Sequence, residues 1–160
     1  MDLDKFHKQV QEHKSEHQKF YKSLKKKKLK NLDALFHDAH DTVFEKIDCL
    51  SCANCCKTTS PIFKPRDIKR ISKHFRMKEG KFIDEYLFLD EEEDYVLKSS
   101  PCQFLDNNNY CSIYDIRPDA CREFPHTNRR KMNQILPLTA TNATMCPAVF
   151  EITEIVKSKL

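Results

Sequence analysis

Apolar positions recur at alternating steps of three and four along the start of the chain, at Leu3, Phe6, Val10, His13, His17, Phe20 and Leu24. That period predicts one long amphipathic helix over residues 2–30, with a single stripe that must find cover. The next stretch, NLDALFHDAHDTVFEKID, puts Leu32, Leu35, Phe36, Ala39, Val43, Phe44 and Ile47 on one face, with Asn31 and Asp33 as cap candidates. A helical hairpin thus leads into the first cysteine.

Farther on the predicted elements shorten. SPIFKPRDIKRISKHF has Pro65 in a first helical turn and Ile68, Ile71 and Phe75 at helical spacing. KEGKFIDEYLFL predicts another helix with Phe82, Ile83 and Tyr86 inward, and the acidic DEEED after it reads as a solvated loop. YVLK and PCQFLDNNNYCSIY read as short strands, the latter folded about an Asp/Asn-rich turn that Cys102 and Cys111 flank. RPDACREFP predicts one helical turn opened by Pro118 and ended before Pro125, and CPAVFEITEIVKSKL a closing helix with Pro147 at its start. The expected fold class is α+β and mostly helical: a basic helical hairpin over residues 1–45, then a small cysteine-cluster domain with short strands over 46–160, cross-linked by metal.

The chain has 160 residues, enough for a modest core without cross-links, so its eight cysteines are not needed merely to rescue a tiny fold. It has a single glycine, Gly80, which excludes P-loops, dinucleotide-binding turns and hydrolase elbows, all of which need several. No apolar run resembles a secretory leader or a membrane span, so the expected location is cytoplasmic, where clustered cysteines ligate metal or do redox chemistry more often than they form disulfides. The formal charge of +4 is local: residues 2–30 hold ten lysines against four acids, leaving about −2 for the remainder. Eight thiolates around two divalent ions would lower the total by four, to near zero, so overall charge gives little support to nucleic-acid binding.

The cysteines fall into C-x2-C-x2-C-C at Cys49, Cys52, Cys55 and Cys56, and a dispersed set at Cys102, Cys111, Cys121 and Cys146. A two-residue gap lets a tight turn bring two sulfurs to one ion, so overlapping C-x2-C steps are a strong ligand signal. Adjacent side chains diverge, so Cys55 and Cys56 either link two sites or Cys56 stands behind the ligands. Zinc and an iron-sulfur cluster both remain open. The spacing C-x2-C-x2-C with a remote Cys146-Pro147 matches three corners and the fourth of a bacterial four-iron site, whereas eight cysteines also divide into two tetrathiolate zinc sites. The C-x3-C-x2-C spacing of radical S-adenosylmethionine enzymes is absent, and Cys49 and Cys52 lack the βαβ context of a thioredoxin pair. Arg117 and Arg122, near Cys121, are candidates to neutralise thiolate charge or donate to sulfur. His13 and His17 lie four apart on one helix face without a third ligand, and His126 is a reserve ligand after Cys121. The run Lys25, Lys26, Lys27 and Lys28 could bind phosphate or anionic lipid.

CLSCANCC, PCQFLDNNNYCSIYDIRPDACREFP and MCPAV together resemble the YkgJ-type cysteine-cluster family, the CxxCxxCC domain described as zinc- or iron-chelating, over about residues 46–150. The resemblance implies that all eight cysteines are the metal set and that Arg117 and Arg122 are the family's RP and CR arginines. It leaves the lysine-rich hairpin outside. The function expected is a metal-chelating protein, an accessory or electron-transfer module. Two alternatives stand beside it: an enzyme, either an iron-sulfur redox protein or a relative of the longer members associated with flagellin lysine methylation, and an adaptor binding nucleic acid or a partner through the N-terminal helix.

Overall fold

The computed structural model describes residues 2–160. In chain order its helices are α1 (Leu3–Lys27), α2 (Leu32–Phe44), α3 (Cys49–Cys52), α4 (Asn54–Thr58), α5 (Pro65–His74), α6 (Glu79–Tyr86), α7 (Asp119–Glu123), α8 (Leu136–Asn142) and α9 (Pro147–Ser158). Strands β1 (Leu87–Leu89) and β2 (Tyr95–Leu97) and two 3-10 turns, Tyr114–Ile116 and Met132–Gln134, complete the described elements. The fold is mostly helical α+β, as the sequence pattern predicts. It divides into two compact units, one formed by the chain up to Cys52 with Pro125–Leu160, the other by Ala53–Phe124.

In the first unit, Asp2 caps α1 by accepting the Lys5 amide at 2.9 Å, and left-handed Lys28 (φ 47°) ends it. The buried stripe is Phe6, Val10, His17, Tyr21 and Leu24. Phe20 is only half-buried, because seven residues of an ideal helix fall about 20° short of two turns, so the buried face drifts off a strict three-four repeat and takes in Tyr21 instead. On α2 the buried set Leu32, Phe36, Ala39 and Val43 keeps the predicted face. These residues share one core with Met132, Leu136 and the Ala148, Ile152 and Val156 row of α9. The two N-terminal helices are therefore covered by the C-terminal segment, and compactness groups residues 1–45 with it. Asp33 is not a helix cap: its carboxylate accepts the amides of Lys131 and Met132 at 2.7 and 2.8 Å. His13 and His17 serve packing. His17 lies 4.9 Å from the Phe150 ring and bonds Glu154 at 2.5 Å.

In the second unit two expectations change. Leu87–Leu89 does not continue α6 but pairs antiparallel with Tyr95–Leu97, in the register Leu87↔Leu97, Phe88↔Val96, Leu89↔Tyr95. The acidic DEEED is the turn of that hairpin. Asp90 Oδ1 accepts the amides of Glu92 and Asp94, and Glu93 takes φ 63°, so a local carboxylate bond closes a turn that charge alone disguises as loop. PCQFLDNNNYCSIY, read as strands, contracts to one antiparallel bridge between Leu105 and Cys111. Asp106 Oδ1 holds that turn by accepting the amides of Asn108 and Tyr110, both at 2.8 Å. The core combines Phe63, Ile68, Ile71, Phe82, Leu87, Leu97, Phe104 and Ile113. Phe104 stacks on Phe82 and Phe75 at ring separations of 6.4 and 5.8 Å, which fixes the segment between Cys102 and Cys111.

Candidate metal centre

No disulfide joins any of the eight cysteines. In the first unit, Cys49 and Cys52 open and close the single turn of α3, three apart and hence on one side of it. Asp48 starts that turn, its carboxylate accepting the Leu50 amide at 3.0 Å. Cys146 stands at the head of α9, its own amide donating to the Asn142 carbonyl at 2.8 Å. Asn142 is buried and donates in turn to the Pro125 carbonyl at 3.3 Å. Burial pushes the Cys146 thiol up to about 11, the amides of Val149 and Ala148 at the helix start oppose this, and thiolate charge at Cys49 and Cys52 adds to it. Cys49, Cys52 and Cys146 are therefore near enough to feel one another's charge.

The second unit holds the other five. Ala53, buried and left-handed at φ 51°, precedes α4, which carries Cys55 and Cys56. The Cys102 amide donates to the Cys56 carbonyl at 2.8 Å, and Ser100 Oγ to the Lys57 carbonyl at 3.1 Å, so two distant cysteine segments run side by side. Cys111 sits on the bridge to Leu105, and Cys121 lies in α7. Cys56 is central to this set. Burial pushes Cys121 up to about 12, with thiolate charge at Cys56, Cys102 and Cys111 adding to the effect and Arg117 opposing it. Burial likewise takes Cys102 to about 11, against amide bonds from Phe104 and Leu105, with Cys56 and Cys111 raising it further. Cys111 is raised by burial and Cys56, and lowered by the Ile113 amide and Arg117. Cys56 itself is raised above the ordinary thiol range, first by its hydrogen bond with Cys55 and then by burial.

Among the described residues no three His, Cys, Asp or Glu side chains are already set to hold an ion. The donor chemistry nevertheless fits one. Half-buried thiols that raise one another favour the protonated form, and a cation among them reverses that preference, while N–H bonds to sulfur at Cys102, Cys111 and Cys146 favour the thiolate.

Of the two arginines named from sequence, Arg117 has a charge that favours the thiolates of Cys111 and Cys121, and its guanidinium is held 4.0 Å from the Tyr114 ring centroid and bonded to the Tyr114 carbonyl at 2.6 Å. Arg122 is exposed on α7. Sequence reasoning missed Asp67 and Arg70. Asp67 is fully buried and accepts from the Lys64 amide, the Asp119 amide and Arg70, while Arg70 also donates to the carbonyls of Ile116 and Arg117. Asp119 pairs in addition with Arg66. This network fixes the turn that carries Arg117 and Cys121. Its only sequence signal is Asp67 three residues after Lys64, the spacing at which a first-turn acid bonds back to the residue ahead of its helix.

A family model described as "CxxCxxCC: Putative zinc- or iron-chelating domain" matches residues 48–147, which run from just before Cys49 to just after Cys146. The chain belongs to the CxxCxxCC family. The match takes in all eight cysteines and leaves out α1, α2 and all of α9 but Pro147. At this level the domain is a metal-binding one. No curated protein and no solved structure matches the chain. Among the described residues, no helix of this CxxCxxCC protein is long and apolar enough to cross a membrane.

Proposed function

We propose that this CxxCxxCC protein is a metal-chelating module whose second unit binds one zinc ion through Cys56, Cys102, Cys111 and Cys121. The observation that carries the reading is the pairing of the Cys102 amide with the Cys56 carbonyl at 2.8 Å, alongside the Leu105–Cys111 bridge. Backbone bonds join the segments of Cys56, Cys102 and Cys111, and the Asp67 carboxylate anchors the Asp119 amide in the turn before Cys121, which supports the reading. Four thiolates suit the tetrahedral preference of zinc. Arg117 is suited to offset the net negative charge of such a site. In the first unit Cys49, Cys52 and Cys146 offer three further thiolates. There the C-x2-C step of Cys49 and Cys52 and the Cys146-Pro147 step support an iron-sulfur cluster as the second reading, which would make the protein an electron-transfer or accessory module.

Anaerobic purification, elemental analysis and an absorption spectrum decide between them. Colourless protein carrying zinc supports the first reading, with loss of that zinc on Cys102→Ser or Cys121→Ser. Brown protein with iron and acid-labile sulfide selects the second. Neither metal, in protein expressed with both supplied, overturns chelation as the role of these cysteines.

A further inference from the structure

The lysine run that ends α1 does not stand alone. One side of α2 grips a second basic segment by four hydrogen bonds. Asp33 accepts the amides of Lys131 and Met132, His37 Nε2 meets the Arg129 carbonyl at 2.9 Å, and His40 Nδ1 meets the hydroxyl of fully buried Thr127 at 2.7 Å. Met132, which follows Lys131, and Leu24 belong to one buried core, and Leu29 packs against that core, so both basic segments flank the same apolar cluster of the first unit. Lys25, Lys26, Lys27, Lys28, Lys30, Arg129, Arg130 and Lys131 are all exposed. No acid occurs between Glu16 and Asp33 or between Glu123 and Glu151. Asp33, which holds the second segment, has both oxygens bonded to backbone amides. The charge is also unevenly shared: the first unit has sixteen Lys and Arg against eleven Asp and Glu, the second twelve against thirteen.

We infer that this composite patch is a binding surface for the phosphate backbone of double-stranded nucleic acid. Evenly spaced single charges attract such a surface, lysines act as point cations, and the neighbouring Arg129 and Arg130 can each fork two N–H donors onto one phosphate. The segments 25–30 and 128–131 expose no large apolar or aromatic side chain, so there is neither a stacking platform for unpaired bases nor a wedge for a bilayer. Recognition is therefore of backbone and not of sequence.

The test uses the full chain, a fluorescent 20-base-pair duplex of mixed sequence and, separately, vesicles of phosphatidylcholine with phosphatidylserine. Duplex binding is expected to weaken linearly in log affinity against log salt. Arg129→Gln/Arg130→Gln should weaken it on the order of tenfold or more and reduce that slope by about two, and Lys25→Gln/Lys26→Gln should do the same. Arg129→Lys/Arg130→Lys, which keeps the charge, should retain the slope, and Lys5→Gln/Lys8→Gln at the other end of α1 should change little. Unaltered circular dichroism and thermal midpoint keep these comparisons free of unfolding. The proposal is overturned if only the lysine variants matter, if Lys5→Gln/Lys8→Gln or Lys73→Gln/Arg76→Gln in the second unit lowers affinity as much, if vesicles bind and the duplex does not, or if neither binds at 50 mM salt.

Discussion

The carboxylate of Asp67, fully buried at the start of α5, accepts the backbone amide of Asp119 at 3.1 Å. The same carboxylate holds Arg70 at 2.7 Å and the Lys64 amide at 2.9 Å. One side chain thereby joins the start of α5 to the turn ahead of Cys121. Asp67→Ala leaves two amides without this acceptor and Arg70 with only the carbonyls of Ile116 and Arg117, and is expected to cost about 3 kcal/mol, from the stranded buried amides and the lost partner of a half-buried ion pair. Asp67→Asn keeps the volume but turns one acceptor into a donor facing donors, and should cost somewhat less. Denaturant titration with metal analysis tests this. Full metal content and an unshifted midpoint in Asp67→Ala would show that the turn holds without the network.

In the first unit, the Tyr21 and Thr153 hydroxyls are 2.7 Å apart, and Thr153 Oγ1 also lies 2.6 Å from the Val149 carbonyl. A threonine has one hydroxyl proton, which goes to the carbonyl, so the Tyr21 phenol is the donor of the pair. The order of two substitutions follows. Tyr21→Phe removes only that donor and should cost about 1 kcal/mol, whereas Thr153→Val strands a buried phenol and should cost about 2 kcal/mol. Equal midpoints for the two variants in urea unfolding would contradict the assigned direction.

How far the sequence reveals this molecule depends on whether a signal is local. The periodicity of α1, α2, α5 and α9 is set by burial of one face, and it is plain in Phe36, Ala39 and Val43. The β1–β2 hairpin was hidden because LFL continues the apolar pattern of α6, and the deciding feature is the Asp90 carboxylate bonding amides two and four residues on. Helix α8 has no stripe to find: ILPLTATNATM is rich in threonine, and its formation rests on Leu136 and Thr139 being buried by neighbours distant in sequence.

The cysteine motif was legible as chemistry, but its grouping was not. Spacing marks Cys49, Cys52, Cys55 and Cys56 as one run, whereas the compact units part between Cys52 and Ala53. Nothing in the one-dimensional pattern says that Cys56 lies beside Cys102, because that contact is a backbone bond between segments far apart in the chain. The same holds for Asp33 and for the bond of Asp67 to the Asp119 amide, whose partners are amides of remote residues and so leave no trace in residue types.

Cys56 and Cys55 should accordingly behave differently despite being adjacent. Cys56 influences Cys102, Cys111 and Cys121, while Cys55 bears chiefly on Cys56. Cys56→Ser is expected to abolish metal binding by the second unit, matching Cys121→Ser, and Cys55→Ser to leave that ion in place. Metal per chain, measured for each variant after gel filtration under reducing conditions, checks this. Retention of the ion in Cys56→Ser would remove Cys56 from the ligand set.

The thiols also predict opposite pH dependences for loaded and stripped protein. Without metal, burial pushes Cys102 and Cys146 up to about 11 and Cys121 up to about 12, above their ordinary 9.0. The folded state then keeps protons that the unfolded chain gives up, so this contribution is fully present below pH 9.0 and is lost as pH rises through the folded values. Tyr21, a phenol raised by burial, adds the same sign. With metal the folded state holds thiolates and the unfolded chain holds thiols, so stability instead falls on acidification, as protons compete with the ion for each sulfur. Thermal midpoints of the reduced protein across pH 5 to 11, with and without chelator, should therefore slope in opposite directions at the two ends. Cys121→Ser should flatten the alkaline limb of the stripped protein, since it removes the most strongly raised of these three groups. If the stripped protein keeps its midpoint between pH 9 and 11, its thiols are not held protonated by the fold, and burial is not what sets their demand for a cation.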